Sequence, residues 1–161
     1  PIYLAKWINL DEFNRSIFYT IELAGGVLGP ILLGRIGAEK GYIRTIIFST
    51  IFAVTSVILL IIHSSATITL AVHLFFVGFF CFSFTSLIQS SLVNMTIGAS
   101  RDLVVGIYFT LLFSIVSLWT AVIGYIIDHY SFLHAFTLMG FLGIVGIAIF
   151  VIKMRRFVDK I

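Results

Sequence analysis

Glu22 is the only acidic residue set well inside one of the long apolar stretches of this chain. It follows Phe13, where its stretch begins, by nine positions, which is about 13 Å of helix at 1.5 Å per residue. A bilayer's hydrocarbon core is about 30 Å thick, so the residue falls near the middle. A lone carboxylate there is costly and must face protein or a water-filled cavity. The chemistry it offers is reversible protonation: proton coupling, or contact with a polar substrate. Two quieter readings stand beside these. The acid stays neutral throughout, or it pairs with Arg15 two turns away on the same face.

A second set of polar residues lies further along. Ser83, Ser86, Ser90 and Asn94 recur at spacings of three and four, which puts them on one helix face. His73 is about 80° off that line at 100° per residue, and Gln89 points elsewhere. Such a stripe lines a pathway, or its hydroxyls bond their own backbone or a neighbouring helix. His73 titrates near neutral pH in the functional reading and is a packed or interfacial residue in the other.

Catalytic chemistry finds no footing. There is no Ser/His/Asp set at a credible depth, and no Cys/His cluster with metal-ligand spacing. Glu39, Lys40 and Gly41 do not make a phosphate-cradling loop. His63, His129 and His134 are expected at the surface and are not spaced as ligands. The chain is therefore expected to be no enzyme and to hold no metal or cofactor. The formal charge of +3 does not point to nucleic acid, because the basic residues flank apolar stretches, where membrane topology places them.

The elements that position these residues follow from composition. The chain is 60% hydrophobic and 11% charged, against about 25% charged for a soluble domain. Five apolar stretches occupy about 13–36, 43–62, 67–93, 103–127 and 132–152. Spanning takes about 20 apolar residues per helix, and in lipid the backbone must satisfy its own hydrogen bonds. The expected fold is an all-α transmembrane bundle of five helices, a single domain with the lipid bilayer as its first partner. The breaks at Gly37–Tyr42, His63–Ala66, Asn94–Asp102 and Asp128–Ser131 are short, so successive helices are antiparallel neighbours. The third span exceeds a perpendicular crossing, and tilt would accommodate it. Asp102 is expected to cap the fourth, with a solvated loop acid as the alternative. Cys81 is the single cysteine, so no internal disulfide forms. The opening run Pro1, Ile2, Tyr3, Leu4, Ala5 has no Met and resembles the tail of an earlier helix, so a fragment of a longer chain is expected.

Basic residues set the expected orientation. Arg35, Lys40, Arg44, Arg101, Lys153, Arg155, Arg156 and Lys160 fall on one side; only Lys6 and Arg15 fall on the other. The richer side is expected to be cytoplasmic, with the C-terminus inside. Tyr3, Trp7, Tyr125 and Tyr130 then form an outer aromatic belt. The first span also carries Gly25, Gly26, Gly29, Pro30 and Gly34. Small residues allow close helix approach, and Pro30 frees the carbonyl of Gly26 and can kink the helix. Static packing and helix movement are both served by this set.

With the loops placed, the pattern resembles the C-terminal half of a major facilitator superfamily transporter, from the end of the seventh helix through the twelfth. Gly29-Pro30-Ile31-Leu32-Leu33-Gly34-Arg35-Ile36-Gly37-Ala38-Glu39-Lys40-Gly41-Tyr42-Ile43-Arg44 resembles the family's Gly- and basic-rich cytoplasmic loop in its second copy. Gly34, Gly41 and Arg44 fit that loop. Ala38 and Glu39 stand where the family has an Asp-Arg pair. Arg101-Asp102-Leu103-Val104-Val105-Gly106 is similar to the opening of the eleventh helix. Gly124-Tyr125-Ile126-Ile127-Asp128 with Ala135-Phe136 is similar to the join of the eleventh and twelfth. The N-terminal half fits less well, because the fourth span lacks the Gly-Pro-rich motif of exporters and the chain ends in a basic tail.

The resemblance implies a twelve-helix carrier whose two pseudo-symmetric halves rock about a central site. The third span then lines the cavity, the first and fourth lie between halves, and the second and fifth are peripheral. The partners implied are a six-helix N-terminal half and a small-molecule solute. Glu22, His73, Ser83, Ser86, Ser90 and Asn94 become substrate or coupling candidates. Gly34, Arg35, Gly41, Arg44 and Arg101 become a cytoplasmic gating loop. The expected function is secondary active transport of a small organic solute, coupled to protons, in the cell membrane. The alternative is a non-transporting sensor or assembly subunit built on the same bundle.

Overall fold

The computed structural model describes residues 2–63, 65–96 and 100–158, and for 153–158 only the backbone path. Among the described residues there are six α-helices: α1 (Ile2–Lys6), α2 (Glu12–Lys40), α3 (Tyr42–Leu59), α4 (Ile68–Met95), α5 (Ser100–His129) and α6 (Phe132–Val158). There is no strand among the described residues. Among the described residues five helices are long and apolar enough to cross a membrane, with a 3-10 turn at Leu60–Ile62 extending α3. The protein is an all-α, multi-pass membrane protein by length and composition of its helices.

Local chemistry sets the helix ends. Asp11 is in extended backbone and its carboxylate accepts from the Asn14 amide at 3.3 Å, an N-cap that opens α2. Hydrogen bonds from Asn14 hold the Asp11 carboxyl below the usual carboxylate range. Thr67 caps α4 in the same way through the Leu70 amide at 3.3 Å. Ser131 accepts from the His134 amide at 3.4 Å in the first turn of α6.

Two boundaries correct the sequence reading. The break expected over Gly37–Tyr42 shrinks to one residue, Gly41, which closes α2 and precedes α3. Gly41 has φ 99°, backbone that favours glycine. Gly37 remains helical because it serves contact: a Cβ there would sit 3.0 Å from the Tyr42 ring and 3.1 Å from Leu87. Asp102 is not the cap of α5. That helix starts at Ser100, and Asp102 sits in its first turn, where its charge still suits the positive dipole end. The side chains of Lys153, Arg155 and Arg156, and all of Pro1 and Lys160, lie outside the described residues.

The tightest association is between α2 and α4, with α3 packed on both and α6 on α3. One apolar cluster joins Leu4 and Ile8 to Leu60, Leu70, Leu74 and Val77 at one end of the bundle. The other joins Leu33, Ile46, Ala53, Phe80 and Leu87 between α2, α3 and α4. At the first end Lys6 pairs with Asp128 at 2.9 Å, and Trp7 donates its indole N–H to the His63 carbonyl at 3.0 Å. Lys6, His63 and Asp128 therefore share one end of the bundle, as alternating helices require.

α5 stands apart. None of its residues is buried, and its few contacts are with α4 and α6 and, through Lys6–Asp128, with α1. Tyr108 donates to the Thr85 carbonyl at 3.4 Å. Gly106, Thr110, Ser114, Ser117, Ala121 and Gly124 recur at spacings of three and four along one of its faces. A Cβ added at Gly106 or Gly124 would meet no atom within 4 Å.

Candidate functional site

The seam between α2 and α4 is built from glycine. Gly25 and Gly29 lie one turn apart on α2, against the backbone carbonyls of Phe75 and Phe79 on α4. Gly78 returns the contact against the carbonyl of Glu22. A Cβ at any of the three would overlap those oxygens. Gly26 faces the ring of Phe82, 3.0 Å from where its Cβ would be. In lipid no hydrophobic force drives helices together, so close backbone approach of this kind supplies the packing. α2 continues through Pro30 without interruption.

Glu22 sits on this seam, half-buried. The ion pairs among the described residues are Lys6–Asp128 and Arg35–Glu39, so Glu22 has none. The pairing with Arg15 considered from the sequence does not form. The Arg15 Nε is buried with no hydrogen-bond partner.

The serine stripe divides. Ser83 is fully buried, donates its hydroxyl to the Phe79 carbonyl and lies against Gly29. It is part of the seam. Ser86 and Ser90 are half-buried, and Asn94 is exposed. His73 lies higher on α4 and pairs with His63: its Nδ1 is 2.8 Å from the His63 Nε2, and its own Nε2 is buried without a partner. His63, at the bundle end, is half-buried, and its carbonyl accepts from the Trp7 indole and from the Tyr3 hydroxyl at 3.3 Å.

The residues of the expected gating loop lie at the opposite end. Arg35 pairs with Glu39 across one turn at 3.2 Å, both exposed. Gly34 has open space around it, Gly41 is the single residue between α2 and α3, and Arg101 is exposed in the first turn of α5. Arg44 lines a groove of about 350 Å³ with Lys40, Tyr42, Ser91, Asn94 and Met95. Of these, Lys40, Tyr42 and Ser91 were not singled out by spacing alone. A basic residue on either side of Gly41 was the available signal.

A larger cavity of about 410 Å³ opens between α3, α4 and α6, lined by Thr50, Val54, Cys81, Phe84, Gly143 and Gly146 among others. Ser83, Ser86 and Ser90 line neither space. Among the described residues no three His, Cys, Asp or Glu side chains converge, so no metal site is assigned.

Compared with known protein families, curated proteins and solved structures, the chain has no significant match.

Proposed function

We propose that this chain is the C-terminal part of a secondary carrier of the major facilitator type, moving a small organic solute by alternating access and coupled to protons through Glu22. The observation that carries the reading is a mid-span carboxyl with no ion-pair partner, set on a glycine seam between two long helices. A carboxyl so placed is a functional candidate by default. The uncovered small-residue face of α5 offers the kind of surface an N-terminal six-helix half would pack on. In this reading the protein is no enzyme and resides in the cell membrane. The Lys40, Arg44 and Arg101 end and the C-terminus are cytoplasmic, on the basic-residue bias.

The test is flux. The full-length protein is reconstituted into vesicles holding a pH-sensitive dye, and a panel of organic acids, sugars and amines is added outside. A carrier gives solute-dependent proton movement that dissipates with an uncoupler. Absence of any solute-dependent flux across the panel, with a signalling or assembly defect in a deletion strain, would favour the sensor or assembly subunit. The same α5 face suits a partner subunit under that second reading.

A further inference from the structure

The two spaces lie in line along the same faces of α3 and α4. On α4, Phe84 and Ile88 line the apolar cavity and Ser91 and Met95 line the second space. Their spacings of four, three and four put all four on one face. On α3, Ile43 lines the second space, and Ile46, Ile47 and Thr50 follow it into the apolar cavity. The second space is thus the next turn of the same two helices.

The apolar cavity has a definite length. On α3 its lining runs from Ile46 to Val57, about 16 Å at 1.5 Å per residue. One leaflet of a hydrocarbon core about 30 Å thick is about 15 Å deep. α6 contributes Gly140, Gly143 and Gly146; Ile58 and Val54 of α3 pack onto the first two, and Gly146 faces open space. The walls of the second space are also mainly apolar, but two of the residues lining it, Lys40 and Arg44, carry positive charge. Both are exposed, and neither has an ion-pair partner among the described residues. No acidic residue lines the space; Glu39, next in sequence, is engaged by Arg35. Asn94 adds an amide. Ser91 adds a hydroxyl whose present acceptor is only the Met95 sulfur at 4.0 Å.

We infer that these two spaces together bind an anionic phospholipid, with one acyl chain in the apolar cavity and the phosphate held by Lys40 and Arg44. The occupant follows from charge and length together. A leaflet-deep apolar slot ending in two unpaired cations matches an amphiphile with a negative head, and basic pockets between membrane helices bind such headgroups. A zwitterionic lipid fills the slot but gains less at its mouth. The site does not depend on the transport reading.

The full-length protein in detergent is titrated with dioleoyl phosphatidylglycerol, dioleoyl phosphatidylcholine, dihexanoyl phosphatidylglycerol and inorganic phosphate, with bound lipid counted by native mass spectrometry. Long-chain phosphatidylglycerol should bind tightest. Each cation near an anionic headgroup contributes about fivefold, so Lys40→Gln with Arg44→Gln should weaken that binding about 25-fold and bring it to the phosphatidylcholine level. Gly146→Phe, at a position with open space around its Cβ, should weaken both long-chain lipids. Gly106→Phe, equally open on α5, should change neither. A photoreactive acyl chain on phosphatidylglycerol should label 46–57 and 139–150 in the unaltered protein, which needs no variant to fold. Equal affinity for the two dioleoyl lipids, full binding in the doubly substituted protein, labelling confined to other helices, or equal competition by inorganic phosphate would each overturn the proposal.

Discussion

The backbone carbonyl of Glu22 faces Gly78 so closely that no side chain fits between them. The candidate proton carrier and the tightest helix contact are therefore one place. Anything that pushes α4 off α2 at Gly78 also moves the backbone that carries the Glu22 carboxyl.

The first prediction follows from that contact. Gly78→Ala places a methyl on the Glu22 oxygen, and the helices must separate to admit it. Overpacking of this kind costs about 1–3 kcal/mol, and Gly25→Ala and Gly29→Ala should fall in the same range, since each meets a Phe75 or Phe79 carbonyl. Gly34→Ala meets nothing within 4 Å. It should be neutral or slightly stabilising, by up to about 1 kcal/mol through helix propensity. Equilibrium unfolding in mixed micelles ranks the four. Equal losses at Gly34 and Gly78 would show that the seam is not where stability resides.

The five spans were legible in the sequence because hydropathy dictates them: a run of about 20 apolar residues has few other places to be. What one sequence did not show is which polar residues meet. Ser83 and Ser86 look alike in spacing, yet Ser83 is sealed against Gly29 and Ser86 is half-exposed. That difference is set by α2, not by α4. The His63–His73 pair crosses a loop and has no periodic signature. Gly37 read as a breaker, and only its contacts with Leu87 and Tyr42 explain why it stays helical. The small-residue face of α5, by contrast, was present in the spacing of Gly106 through Gly124 and could have been read directly.

Topology gives the second prediction. With Cys81→Ala as background, Lys40→Cys should react only with reagent added from the cytoplasmic side and Ser65→Cys only from outside. Both positions are exposed, so access is limited by the membrane alone. Labelling of Ser65→Cys from inside would invert the assignment and place the basic end outside, against the positive-inside bias.

The stripe supplies the third. In that background Asn94→Cys should react fully with a polar thiol reagent, Ser86→Cys and Ser90→Cys partially, and Ser83→Cys not at all. This order follows their exposure: open, half-buried and sealed. A central water path reaching the seam in the working cycle would make Ser83→Cys react when solute is present. Protection of Ser86→Cys and Ser90→Cys under all conditions would leave the stripe as helix packing.

Asp11 gives a pH dependence whose sign is fixed. Its folded carboxyl titrates below the ordinary value of 3.8, through the hydrogen bonds from Asn14. A lowered value means that the cap contributes stability above pH 3.8 and loses it as pH falls through the folded value. Asp11→Asn keeps an N-cap acceptor and removes the titration. Melting temperatures of the two proteins, compared between pH 6 and pH 2.5, should converge as acid is added. A constant difference across that range would remove Asp11 from the acid response.

Glu22 carries the functional claim, and two substitutions separate its possible roles. A coupling acid must change protonation in each cycle. Glu22→Gln keeps the shape and removes the titration, so proton-driven accumulation of solute should be abolished while expression and solute exchange persist. Glu22→Asp still titrates, but from a shorter side chain in a different environment, and should give partial accumulation with a displaced pH profile. A structural acid behaves otherwise. Gln would be tolerated because it can still hydrogen-bond, and Leu would lower expression by removing the polar group from the seam. Arg15 does not enter either case, since no ion pair joins the two residues. Arg15→Gln should therefore leave the pH profile of accumulation unchanged. Wild-type accumulation in Glu22→Gln would end the coupling role for this residue, whatever the protein carries.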